Sequence, residues 1–255
     1  MLDKTACIDS TAELDSTVKV GPYCIIGPRV KIAANTVLHS HVVVQQDTEI
    51  GELNTIYPFA SIGSDPQYLD YKGEHTRLII GKNNRIRESA TISRASKIEG
   101  LTRVGDNNYF MAYTHVAHDC VVGNSVIFAN MASIAGFVEV GDYAFLGAFS
   151  GVHQFCKVGE YSFLGRATKV VQDILPYVIV AGNPGAPHSL NLVGLRRQGF
   201  TNESIQKLKR VLYMFIKDQL PVDQIKAVLI EMQEESPEVR LFLKAIETST
   251  RGLAR

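Results

Sequence analysis

The stretch VGDNNYFMAYTHVAHDCVVGNSVIFANMASIAGFVEVGDYAFLGAFSGVHQFCKV, residues 104–158, decides the fold. Stepping by six from Val104 gives Phe110, Val116, Val122, Phe128, Ile134, Val140, Leu146, Val152 and Val158, all apolar. Forward, the phase continues through Leu164 to Val170. Backward, it passes Ile92, Ile86 and Ile80, crosses a gap to Ile62, and runs by sixes to Ile8 without a polar residue. Chance does not produce this in a chain that is 45% hydrophobic. Gly often follows the apolar position, as at Gly21, Gly51, Gly105, Gly123 and Gly141. Small or β-branched residues such as Ala12, Val42 and Ala132 stand two places before it, a slot shared by Cys24, Cys120 and Cys156.

Each six-residue unit reads as a short flat strand and a corner, with the aliphatic residue pointing inward. Gly is expected to make the corner, because it reaches backbone angles that a Cβ forbids. Three units form one coil, and neighbouring coils lie roughly 4.8 Å apart, the ordinary strand spacing. No coil buries its own hydrophobic residue, so stability comes from stacking. Helical solenoids repeat at above ~30 residues and leucine-rich repeats at above ~20, so neither fits. The expected class is mainly β, a parallel β-helix of hexapeptide repeats followed by a small α-helical C-terminal domain. Period alone does not set its hand, and parallel crossovers are right-handed in about 98% of cases.

Residues 64–79 and 93–103 break the pattern. Loops leaving a rigid stack suit substrate contacts, and tolerated surface insertions fit equally well. The repeat ends near Asp173, and Pro176, Pro184 and Pro187 mark a turn-rich boundary. Residues 1–187 are expected to form the β-helix and 188–255 the helical domain. Ile205, Leu208, Leu212 and Phe215 share one helical face, as do Ile225, Val228, Leu229 and Met232. Val239, Phe242, Leu243 and Ile246 follow a start signal at Ser236-Pro237.

The formal net charge is zero, which disfavours bulk nucleic-acid binding. The segment MLDKTACIDSTAELD lacks the layout of a secretory signal. No apolar run reaches the ~20 residues of a membrane span. A soluble cytoplasmic protein is expected. The four cysteines form no C-x-x-C pair.

The strongest local signal is Thr114-His115-Val116-Ala117-His118-Asp119. His118 lies two places after an inward residue. One coil further on, the equivalent position is Gly136, and two coils on it is Gln154, with His153 beside it. A His one coil from a Gly suits acyl transfer. The imidazole removes a proton from an attacking hydroxyl, and the Gly N–H meets the developing oxyanion. Asp119 is placed to hold the imidazole tautomer. A lone His on a solenoid more often simply faces solvent, but His115, His118 and His153 gather near one column. Some hexapeptide β-helices are zinc carbonic anhydrases. Here H-x-x-H stands without a further ligand set, so no metal is expected.

Several stretches together resemble the bacterial UDP-N-acetylglucosamine O-acyltransferases, which catalyse the first step of lipid A synthesis. They are GEHTRLIIGKNNRIRESATI (73–92), HVAHDCVVGN (115–124), VHQFCKVG (152–159), YVIVAGNP (177–184), GLRRQGF (194–200) and STRGLAR (249–255). The resemblance implies a left-handed β-helix assembled as a homotrimer, with active sites between subunits. It implies His118 as base, Asp119 as its orienting partner and Gly136 as oxyanion donor. His115, His153 and Gln154 match residues lining the sugar and acyl site, and Asn191 and Arg197 match positions that contact the nucleotide. Acyl carrier protein would deliver the acyl group on its phosphopantetheine to a UDP-sugar, with no metal or diffusible cofactor.

The chain departs from the family's usual pattern at defined places. The first loop reads Pro66-Gln67-Tyr68-Leu69-Asp70-Tyr71-Lys72, with Tyr68 where a sugar-contacting Asp is usual and Asp70 where a Lys is usual. Phe137 replaces a His, Val193 and Gln198 alter the nucleotide segment, and Arg166 stands where Gly is common near the acyl-chain end. Gln67, Tyr68 and Arg166 therefore join the candidate substrate-binding residues. The departures point to a divergent member or paralogue with a changed acceptor sugar or chain length. Arg196, Arg197, Lys207, Lys209 and Arg210 fit either a landing area for acidic carrier protein or an ordinary solvated face. Two other readings stay open. One is a related acyltransferase, N-acylating or dependent on acetyl-CoA. The other is a non-catalytic scaffold, which would need no His–Gly column.

Overall fold

The computed structural model describes residues 1–234 and 236–255. Most of the chain winds into a left-handed parallel β-helix, a three-sided prism. Face one has nine strands, from Cys7–Ile8 to Lys169–Val170. Face two has eight, from Glu13–Leu14 to Lys157–Val158. Face three has ten, beginning at Lys19–Val20 and ending in an antiparallel hairpin, Val178–Gly182 with Gly185–Leu190. Most strands are only two residues long. The right-handed rule for crossovers rests on strand twist, and strands this short accumulate little of it.

The inward column is the core. From Val20 onward every residue of the six-residue series is buried; Ile8 and Leu14, in the terminal coil, are half-buried. Registers stack each inward residue on its equivalent: Ile62 on Ile92, Ile92 on Val116, Val116 on Ile134 and Ile134 on Val152.

The corners differ from expectation. The left-handed backbone angle falls on non-glycine residues three places after the inward residue, among them Tyr23, Asn35, Asp47, Asn83, Asp119 and Tyr143, at φ of 55–60°. Of the glycines that follow an inward residue, only Gly63 has positive φ, at the root of the first loop. Glycine is needed there for close approach instead. A Cβ at Gly51 would lie 2.6 Å from the carbonyl oxygen of Gly81, and one at Gly147 2.4 Å from that of Leu164.

Both ends of the stack are closed. In the first coil Asp3, Asp9 and Asp15 each accept the N–H and hydroxyl of a Thr two residues on, and each Thr hydroxyl accepts an amide from the next coil. At the other end, buried Asp173 accepts from Ser249 Oγ and from the amides of Thr250 and Arg251, clipping the closing segment to the last coil. This gives the STRGLAR stretch a structural role. Helices α1 (Leu192–Arg197), α2 (Asn202–Ile216), α3 (Val222–Met232) and α4 (Arg240–Thr248) follow the hairpin. The rings of Tyr177, Phe242 and Phe215 join them to the prism. Ser236 precedes a 3-10 turn at Pro237–Val239 that leads into α4, without a side-chain cap bond. The β-hairpin runs through Leu190, past the expected boundary at residue 187, because its second strand pairs back to Val178. Among the described residues no helix is long and apolar enough to cross a membrane.

Candidate active site

Both loops leave the same corner, between faces one and two. The first spans 65–76, between strands Ser61–Ser64 and Arg77–Ile80; the second spans 94–100, between Thr91–Ser93 and Leu101–Val104. Both are shorter than the sequence pattern suggests, because strand pairing extends into their ends. On the next coils the same corner carries His118, Gly136 and Gln154. Phe137 N–H donates to the His118 carbonyl and Phe155 N–H to that of Gly136, each at 3.1 Å, so the three positions stack one coil apart.

His118 is 7% exposed. Its Nδ1 lies 2.7 Å from Asp119 Oδ2. The ring packs on Gly136 around Cε1, where a Cβ would lie 2.5 Å from Cε1, 2.8 Å from Nε2 and 3.0 Å from Nδ1. Gly136 occupies the corner position that Pro22, Pro28 and Pro58 occupy elsewhere, one whose nitrogen donates no backbone hydrogen bond. Its N–H accordingly donates to no described residue. The Tyr68 ring, from the first loop, lies 5.5 Å from that of His118, and the Phe137 ring meets it edge-on. His115 Nδ1 lies 2.7 Å from Thr91 Oγ1. Burial, with a smaller contribution from neighbouring His118, holds the His115 imidazole below its ordinary pKa.

An open cleft of about 480 Å³ runs up this face, lined among others by Gln67, His115, His118, Gly136, His153 and Gln154. Arg166, Asn191 and Arg197 do not line it. The Arg166 guanidinium sits over the Phe149 ring at 5.3 Å. Asn191 caps α1, its Oδ1 accepting from Gly194 N–H and its Nδ2 donating to the Tyr161 carbonyl. Arg197 is exposed at the end of α1. Ser133, Gly151 and Lys169 also line the cleft and were missed. Stepping one coil at a time from His115 along face one reaches all three.

The loops are tied to one another. Buried Arg94 donates to the Gly63 carbonyl and pairs with Asp65. His75 lies 3.1 Å from Glu99 and 3.5 Å from Asp47. Among the described residues no group of three or more His, Cys, Asp or Glu is arranged to hold a metal.

Residues 173–254 match the family model described as UDP N-acetylglucosamine O-acyltransferase, domain 2, and residues 101–136 match bacterial transferase hexapeptide repeats. The UDP-N-acetylglucosamine acyltransferase of Francisella novicida superposes with a TM-score of 0.98 at 38% identity, over 100% of this chain and 94% of that one. The chain belongs to the UDP-N-acetylglucosamine O-acyltransferase family. The Moraxella catarrhalis UDP-N-acetylglucosamine O-acyltransferase gives 0.97 at 41% identity, over 100% and 99% of the two chains. A Bacteroides fragilis UDP-N-acetylglucosamine acyltransferase gives 0.94 at 35%, with both chains covered in full. Membership in this acyltransferase family spans the β-helix, both loops and the helical tail, so the cleft belongs to a fold these relatives share.

Proposed function

We propose that this protein transfers a 3-hydroxyacyl chain from acyl carrier protein to the 3-position of UDP-N-acetylglucosamine, or of a close amino-sugar analogue, in lipid A biosynthesis. The observation that carries the reading is the His118 imidazole packed on Gly136, whose amide donates to no described residue, with Asp119 at Nδ1. His118 Nε2 takes the proton of the attacking 3-hydroxyl as its oxygen adds to the thioester carbonyl. Asp119 holds the Nδ1 proton on the other side of the ring and stabilises the imidazolium. The Gly136 N–H receives the negative charge on the carbonyl oxygen. Collapse of the tetrahedral intermediate expels the pantetheine sulfur, which recovers the proton from His118. A positioned base contributes about 10²–10⁴ in rate, and one oxyanion donor about 10²–10³.

Gln67, Tyr68, His115, His153 and Gln154 would line the sugar and acyl positions. Arg166, Asn191 and Arg197 lie off the cleft of their own chain, which fits a site completed by a neighbouring subunit. A column of exposed side chains, Tyr23, Phe59, Tyr113, Met131 and Phe149, runs up the corner between faces three and one. With His41 and Ser89 at the intervening coils, it supports a homotrimer, since large exposed apolar side chains gathered on one edge mark an interface. The reaction would need no cofactor beyond the carrier's pantetheine and would run in the bacterial cytoplasm. Arg166 puts a charged side chain at the expected chain end, which favours a shorter acyl group than a glycine would admit.

Mass spectrometry of the product made from mixed acyl carrier proteins and two acceptors, UDP-N-acetylglucosamine and its 3-amino analogue, tests the reading. One acylated UDP-sugar with a defined chain is expected. Full activity on the ordinary sugar with a long chain would refute the altered-substrate part, and no acylated sugar at all would refute the reaction.

A further inference from the structure

The second loop carries a role that neither the family match nor the dyad explains. Asp119 Oδ2, the oxygen that meets His118 Nδ1, also accepts the backbone N–H of Ser96 at 3.0 Å and the Ser96 hydroxyl at 2.6 Å. The Asp119 N–H donates to Thr102 Oγ1 at 2.8 Å. A Cβ at Gly100 would lie 3.2 Å from Asp119 Oδ1 and 2.9 Å from Ala95, so glycine lets the loop close around the carboxylate. Asp119 is held in this grip with a φ of 59°, an angle that few side chains adopt.

We infer that Ser96 is a positioning residue: its two donors fix the Asp119 carboxylate and draw off part of its charge, setting both the orientation and the basicity of His118. Hydrogen bonds to a carboxylate spread its charge. An Asp119 relieved of the Ser96 hydroxyl presents more negative charge to Nδ1 and stabilises the imidazolium more. The other groups facing the pair are His115 on the same face, the Tyr68 ring from the first loop and His153 in the cleft. Lys97 lies 4.7 Å from the Phe137 ring. Among the described residues no Lys or Arg forms an ion pair with Asp119, so the neutral donors of the loop do the work a cation does elsewhere. The 93–103 insertion is thereby a brace for the catalytic pair.

This inference rests on the proposed role of His118, and its test separates the two. His118 titration is followed by NMR of histidine-labelled whole protein in the parent, Ser96→Ala and Ser96→Thr. The midpoint should rise by about 0.5 pH unit in Ser96→Ala and return to the parent value in Ser96→Thr, which keeps the hydroxyl. In the transfer assay, Ser96→Ala should lower kcat about tenfold, leave KM near the parent value and move the acid limb of the pH profile upward. Titration curves that superimpose in all three proteins would overturn the role of Ser96, as would an equal shift in both variants. A parent that transfers no acyl group would sink the proposed reaction while leaving the titration result to judge the brace. If Ser96→Ala fails to fold, Ser96→Gly removes the same hydroxyl donor and is read in its place against Ser96→Thr, with the same shift expected and superimposed curves overturning the role.

Discussion

Gly136 has no room for a β-carbon. One placed there would lie within 3.0 Å of three atoms of the His118 ring, which could clear it only by leaving the position where its Nδ1 meets Asp119 Oδ2. Gly136→Ala is therefore expected to lower kcat at least about 100-fold while the fold survives, as circular dichroism and a near-parental melting temperature would report. His115 makes a second prediction. Its pKa is lowered in the folded state from an ordinary 6.5. Below that value the unfolded chain takes up a proton that the folded chain resists, so stability falls as pH drops through this window. The parent's stability advantage over His115→Asn should shrink between about pH 7 and 5, read by urea unfolding at several pH values. An advantage constant with pH would contradict it. At this scale the sequence reveals His118, Gly136 and Gln154, because a fixed period lets one count from coil to coil. It hides Ser96, because a loop that leaves the period carries no register to count by.

The coils and their corners test the packing account. At Gly147 a methyl would meet the Leu164 carbonyl at 2.4 Å and the Gly165 carbonyl carbon at 2.7 Å, both backbone of the next coil that cannot swing aside. At Gly151 nothing lies within 4 Å and the backbone angle is ordinary. Gly147→Ala should cost about 1–3 kcal/mol, whereas Gly151→Ala should be neutral or stabilising by up to about 1 kcal/mol. Chemical denaturation of the pair checks this, and similar losses in both would contradict the close-approach account. The corner-angle explanation was the natural reading of a repeated glycine. It fails because the left-handed angle sits at Tyr23, Asp119, Tyr143 and their equivalents. The helical stripes were legible from spacing, although Val228, Met232 and Ile246 are only half-buried at the edge of a small tail.

For the molecule as a whole, the same period that builds the prism also arrays its surface. Each outward position repeats coil after coil, so the side chains of one corner stand in a column, and the Tyr23-to-Phe149 column, with His41 and Ser89 within it, is the strip expected to join subunits. Phe149→Asp should dissociate the proposed trimer to monomer, as light scattering after gel filtration would show, and activity should fall with it because Arg166, Asn191 and Arg197 lie away from their own chain's cleft. A variant that stays trimeric would place the interface elsewhere. The partner of this column is not legible in the sequence, since nothing in a period says which faces of two prisms meet.

The central claim is that the imidazole of His118 is the base for acyl transfer. Its most direct test is kcat/KM for transfer from 3-hydroxyacyl carrier protein to the UDP-sugar in His118→Ala. The account predicts a fall of about 10³-fold or more, with the assembly and melting temperature unchanged; a variant within tenfold of the parent would contradict it.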